Sequence, residues 1–193
     1  MELMPDRRSV PSPVNNAAMS TTAAALVLLC CGDPGQIDAL QAAAALPVAS
    51  LLNLPLEQGL QAPTSTANPQ QALAALPVTC LAPLGVDPGM PLGAQGHWAE
   101  QLGAARQGCL LLVSAEQLSS GVAAATTALL QHWQVPLLGL IQWGAPWDGE
   151  ARRLDGLPWL GWLEADSSTT GPSAAAFITA TRLRWQRLAA EQR

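Results

Sequence analysis

A doubly wound, mostly parallel α/β sheet flanked by helices is the fold class this sequence predicts, and three observations predict it. Apolar runs of strand length recur at 25–31, 109–113, 135–142 and 158–163. These runs are continuously apolar rather than alternating, as strands buried on both faces must be. Segments with helical spacing lie between them, so strand and helix alternate along the chain. At 20.1 kDa, with 49% hydrophobic and 12% charged residues, the chain suits one such domain. Residues 23–193 read as that single domain, and 1–22 as a disordered N-terminal extension.

The first strand, 25–31, ends in Gly32-Asp33-Pro34-Gly35. Asp33 is a good N-cap and Pro34 a good first helical residue. The helix they open should run to about Ala45, with Ile37, Leu40 and Ala44 on one face, and stop before Leu46-Pro47. A second strand is expected at 48–52. Pro, Gly, Gln, Ser and Thr make 54–68 a loop. A short helix follows at 69–75, then a third strand at 77–81. The stretch 82–96, rich in Gly and Pro, can hold no long regular element, and loops of that length are usually functional or poorly ordered. Helical spacing resumes at 97–105. After the strand at 109–113, Ser119 or Ser120 can cap a helix through Trp133, and 135–142 is the next strand, reached by a right-handed crossover. A loop over 143–157 carries Asp148, Glu150, Arg152, Arg153 and Asp155. The strand at 158–163 and a helix from Pro172 to Glu191 close the chain.

Lysine is absent, and all nine basic residues are arginine. A phosphate loop ending in Gly-Lys-Ser/Thr and a Schiff base on the protein are both excluded. The net charge of −5 gives no electrostatic footprint for nucleic acid. Arg182, Arg184 and Arg187 read as the solvated side of a terminal helix. Cys30, Cys31, Cys80 and Cys109 lie in or beside apolar runs without zinc-site spacing, so they read as core residues, and vicinal Cys30 and Cys31 should face opposite sides of a strand. No disulfide framework is apparent, and a reducing cytoplasm is the expected setting. Arg7 and Arg8 precede an apolar stretch, but Pro11, Pro13, Asn15 and Asn16 separate the two, which argues against a secretory signal. Met19-Ser20 is an alternative start. No run approaches the ~20 apolar residues that cross a bilayer.

Gly108 to Ser114 (GCLLLVS), the helix to Trp133, Val135 to Ile141 (VPLLGLI) and Leu157 to Leu163 (LPWLGWL) follow a known cadence. Over 97–163 the chain resembles the C-terminal half of dethiobiotin synthetase and its relatives in the cobyrinate-synthase and MinD/ParA group of P-loop NTPases. The resemblance implies a P-loop-NTPase-like three-layer sandwich. It also implies a phosphate loop after the first strand, where this chain has Gly32-Asp33-Pro34-Gly35-Gln36, too short and without the family's lysine. The carboxylate the family places at the end of its third strand is missing until Asp87. Gln142 stands where relatives place an Asn to read the base. ATP hydrolysis by the family mechanism is therefore not expected.

Gly32, Asp33, Gly35 and Gln36 remain as an anion- or nucleotide-binding remnant, because a helix N-terminus presents free amides. The competing reading is an ordinary strand-to-helix turn whose Asp33 would repel phosphate. His97 and His132 have no metal-ligand partners in sequence, and Ser114 and Ser119 lack a nucleophile elbow. Of seven tryptophans, Trp143, Trp147, Trp159 and Trp162 cluster at the expected ligand edge of the sheet. Trp143, Trp147 and Asp148, set among loop formers, are the candidates for contact with a ligand or partner, whereas Trp159 and Trp162 divide evenly between core and contact. The function expected is binding or regulation by a non-catalytic relative, with a protein partner, a small-molecule ligand or a second copy in a homodimer, and no nucleic acid or membrane. The alternative is an ATP- and Mg-dependent ligase- or synthetase-type enzyme using Gly32 to Gln36, the Gly85 to Gly96 loop and Arg106.

Overall fold

The computed structural model describes residues 25–60, 68–165 and 172–191; the expected N-terminal extension lies outside them. Five strands form one all-parallel sheet: β1 (Leu26–Leu29), β2 (Leu81–Pro83), β3 (Gly108–Ser114), β4 (Leu137–Trp143) and β5 (Trp159–Leu163), in the order β2-β1-β3-β4-β5. Helices α1 (Pro34–Leu52) and α6 (Pro172–Glu191) bury residues against one face. On the other face lie α2 (Pro69–Ala74), α3 (Trp98–Ala104) and α4 (Val122–His132). A short α5 (Gly149–Leu154) precedes β5. The protein is thus a three-layer α/β sandwich.

The central strands show why the sequence runs are unbroken. Leu26, Leu28 and Cys30 enter the core under α1 and α6, while Val27, Leu29 and Cys31 enter the core under α3 and α4. Leu110 and Leu112 of β3 likewise oppose Cys109, Leu111 and Val113. Each second residue points to the other face, so a doubly covered strand needs an apolar side chain at every position. Cys30 and Cys31 fall on opposite faces as expected.

Helix α1 departs from the sequence reading. Asp33 caps it in a capping box with Gln36, but the helix passes through Pro47 to Leu52 and replaces the strand expected at 48–52. Proline 47 deprives the Ala43 carbonyl of its partner, and Ala43 is exposed, where water can substitute. Val48, Ala49, Leu51 and Leu52 bury themselves against the sheet and offset the defect. Asn53, left-handed at φ 56, ends the helix. The edge beside β2 then receives two isolated parallel bridges, Leu56 to Leu81 and Leu60 to Leu84. The strand expected at 77–81 begins instead at Leu81, after Thr79 turns the chain at φ 64.

Two further boundaries move. Neither Ser119 nor Ser120 is the N-cap of α4; Gly121 at φ 72 is, and Ser114 with Gln117 caps a 3-10 turn over Ala115–Ser119. The expected loop at 143–157 contains α5, capped by Asp148, whose Oδ1 accepts from the Glu150 and Ala151 amides at 3.1 and 3.0 Å.

Strand β4 carries a bulge at Leu138, which places Leu110 beside Gly139. Gly139 has φ +152, and a Cβ there would lie 2.4 Å from the Pro158 carbonyl oxygen and 2.6 Å from Arg184 Nη1. The bare backbone lets the guanidinium from α6 cross the sheet and donate to the carbonyls of Leu138 (2.7 Å), Pro158 (3.0 Å) and Trp159 (3.3 Å). Gly139→Ala should therefore cost about 2–3 kcal/mol, read as a lower urea midpoint with unchanged slope.

Candidate functional site

In open parallel sheets ligands bind beyond the carboxyl ends of the strands, where the strand order reverses, and in this order the reversal lies between β1 and β3. The turn Gly32 to Gln36 sits there, at the end of β1. The Gly32 amide donates to Asp87 Oδ2 at 3.1 Å, the Asp33 amide to Gln36 Oε1 at 3.2 Å and the Gln36 amide to Asp33 Oδ1 at 2.9 Å. Pro34 has no N–H, so Gly35 alone keeps an amide outside this set. The donors that would cradle an anion are largely taken by the chain's own side chains.

Asp87 reaches the turn from the Gly- and Pro-rich loop that follows β2. Its Oδ1 accepts from the Gly89 amide at 2.7 Å, a local Asx turn that orients the carboxylate. Gln117, 6% exposed, closes the other side: its Nε2 donates to the Cys31 carbonyl and its Oε1 accepts from the Ser114 amide at 3.0 Å. Gly32 itself has φ +118, and a Cβ would lie 2.4 Å from Gln36 Oε1. Sequence reading missed Gln117 and the reach of Asp87 because both depend on contacts 55 or more residues apart. The Asp-Pro-Gly at 87–89 is the one local signal that could have marked the second. Arg106 precedes β3 and so stands at the opposite edge of the sheet from Gly32.

The tryptophans separate into two groups. Trp143 ends β4 at 8% exposure and belongs to the core under α1 and α6. Its ring is therefore packed in the core, and the loop formers around it hid the fact that it is still strand. Gln142 points to the other face, opposite Trp162 of β5. A bulge at Leu160 puts Trp159 and Trp162 on that same face despite their spacing of three. Trp147, half-buried, stacks on Trp162 with ring centroids 5.1 Å apart and planes 16° apart, and meets Trp159 edge-on at 6.1 Å. Arg152 lies 5.1 Å over the Trp159 ring and pairs with Asp155 at 3.2 Å. Both Asp155 oxygens accept from Trp159 Nε1 at 3.0 Å. Asp148 is exposed but engaged as the cap of α5. Beneath this group Gln142, 1% exposed, donates from Nε2 to the Ala145 and Pro146 carbonyls at 2.9 and 3.0 Å, and its Oε1 is buried without a partner.

All four cysteines are free and buried. Burial pushes the Cys30 thiol up from 9.0 to about 12, with Cys31 alongside adding to the rise. It pushes Cys31 up to about 11, opposed by a hydrogen bond with Thr126 and reinforced by Asp87. Such thiols are poor nucleophiles. Among the described residues no His/Cys/Asp/Glu group has metal-site geometry, and no helix is long and apolar enough to cross a membrane. No family model matches the chain, and no curated protein does either.

Two outcomes follow. The chain lacks lysine and tyrosine, so no ammonium or phenol titration overlaps that of the cysteines above pH 9. Their folded pKa values lie above the unfolded one; the protonated thiols thus stabilise the fold fully below pH 9, and that contribution is lost as pH climbs toward 11 and 12. The urea midpoint should fall over this range, while native protein at pH 8 reacts slowly with a thiol reagent. Separately, Trp147→Ala removes one ring of a stacked pair and should cost about 1–2 kcal/mol, with loss of near-ultraviolet circular dichroism.

Proposed function

We propose that this chain is a non-catalytic protein acting in binding or regulation, built on a degenerate P-loop-NTPase-like, dethiobiotin-synthetase-like sheet. One observation carries the reading. At the strand-order reversal, where a relative of that group would hold phosphate, Asp87, Asp33 and Gln36 occupy the amides of Gly32, Gln36 and Asp33. Two carboxylates at the turn repel a third anion, and no lysine exists to offset them. Arg106, which an ATP- and Mg-dependent ligase or synthetase would have to bring to the turn, starts from the far edge of the sheet. Binding is instead assigned to the indole-bearing edge around Trp147, Trp162 and Asp148, toward a protein partner or a small molecule. Four buried free thiols are compatible with a reducing, cytoplasmic setting.

Tryptophan fluorescence of the full chain titrated with ATP, ADP and GTP, with and without magnesium, tests the reading, with calorimetry to detect optically silent binding. No saturable response up to millimolar nucleotide is expected. A magnesium-dependent, saturable response that Asp87→Ala or Gly35→Ala alters would overturn it in favour of the enzyme.

A further inference from the structure

The edge of the sheet opposite the Gly32 turn holds a cavity of about 340 Å³ lined by Pro136, Leu137, Leu138, Arg184, Leu188 and, at the rim, Arg187 with Glu191. That volume lies at the small end of the range for small-molecule sites, about 300–1,000 Å³. Its floor is proline and leucine, and its polar wall comes from the last turns of α6.

The guanidinium of Arg184 is held in place before any ligand arrives. Nη1 donates to two carbonyls, those of Leu138 and Pro158, and Nη2 donates to a third, that of Trp159. These bonds use three of the five N–H donors of the arginine and leave Nε–H and one Nη2–H for a ligand oxygen. Neutral carbonyls are the only hydrogen-bond partners of this cation among the described residues, and its partial burial lowers its pKa. Glu191 is the carboxylate at the rim, and it accepts from Arg187 Nε at 3.1 Å. Two arginines against one glutamate leave the rim positive. The negative end of the α6 dipole opposes an anion there, but its half charge is smaller than the net charge of the side chains. An exposed guanidinium, fixed by three carbonyls with two N–H donors to spare and set beside an apolar floor, calls for a ligand with one carboxylate and a short hydrocarbon body.

We propose that this cavity binds a small apolar monocarboxylate, a free acid of medium chain length, with its carboxylate on the free Nε–H and Nη2–H of Arg184 and its chain on Pro136, Leu137, Leu138 and Leu188. The proposal is independent of the nucleotide question, because the cavity and the Gly32 turn lie at opposite edges of the sheet.

Octanoate is the probe. It should raise the melting temperature of the full chain saturably and change the fluorescence of buried Trp185, the neighbour of Arg184 on α6. Octanol and octylamine, which lack the carboxylate, and acetate, which lacks the chain, should do neither. Arg187→Ala, at an exposed side chain outside the carbonyl clamp, should weaken octanoate about three- to tenfold. Arg184→Lys, measured under conditions where circular dichroism shows it folded, should abolish the response, since an ammonium offers no planar fork of donors. Absence of a saturable octanoate response at millimolar concentration, or an equal response to octanol, overturns the proposal. So does an unchanged octanoate affinity in Arg184→Lys.

Discussion

Strand β1 is sealed on both faces, and the rest of the protein depends on satisfying its two ends. All four of its residues are fully buried, as are Cys30 and Cys31 beyond it, so no water reaches the backbone there. Neighbouring strands serve its ladder groups. The carbonyls just outside the ladder fall to side chains: Gln107 Nε2 donates to the Ala25 carbonyl at one end, and Gln117 Nε2 to the Cys31 carbonyl at the other. A buried carbonyl left unpaired costs about 1–3 kcal/mol, so each amide protects the strand that anchors the sheet. Both glutamines are themselves buried, at 9% and 6% exposure; Gln107 Nε2 also reaches the Gly108 carbonyl at 3.5 Å, and Gln117 Oε1 accepts from the Ser114 amide.

The same substitution of neutral amides and fixed guanidinium for flexible charge recurs elsewhere. Gln41 donates to the Leu84 carbonyl from α1, and Gln142 fastens the turn after β4. Arg184 clamps three carbonyls at the far edge. A lysine could not do this last task, because a point ammonium cannot span carbonyls on two strands in a planar fork. Gly139 makes the clamp feasible by clearing the path of the guanidinium. The two ends of the sheet consequently differ: one is closed by carboxylates and amides around Gly32, the other is left positive around Arg184 and Arg187.

At the β5 edge the protein covers its sheet with rings instead of a full helix. α4 serves the centre of that face, and the segment before β5 folds back so that Trp147 lies on Trp162. Arg152 and Asp155 then brace Trp159 through a cation–π contact, an ion pair and the indole N–H. Stacked and edge-on indoles contribute about 0.5–1.5 kcal/mol per pair beyond their buried area, enough to hold a six-residue helix such as α5 in place. The cost is an edge whose aromatic surface remains half open to solvent.

The sequence by itself determined the class of fold, a mostly parallel doubly wound sheet, the cap at Asp33 with Pro34 as first helical residue, the terminal helix and the opposed directions of Cys30 and Cys31. All of these are local: they follow from unbroken apolar runs, helical spacing and capping chemistry within a few residues. It also settled that lysine chemistry is absent, which is a matter of composition. Tertiary structure alone decided the rest, for one physical reason. Pro47 is tolerated inside α1 because the following apolar residues find the sheet, a gain no local propensity records. The bulges at Leu138 and Leu160, which re-aim Arg184's target and pair Trp159 with Trp162, exist only relative to a neighbouring strand. Asp87 and Gln117 close the Gly32 turn from 55 and 86 residues away in the chain. Side chains that act through long-range hydrogen bonds leave no periodic trace, so their partners can be read only once the sheet is assembled.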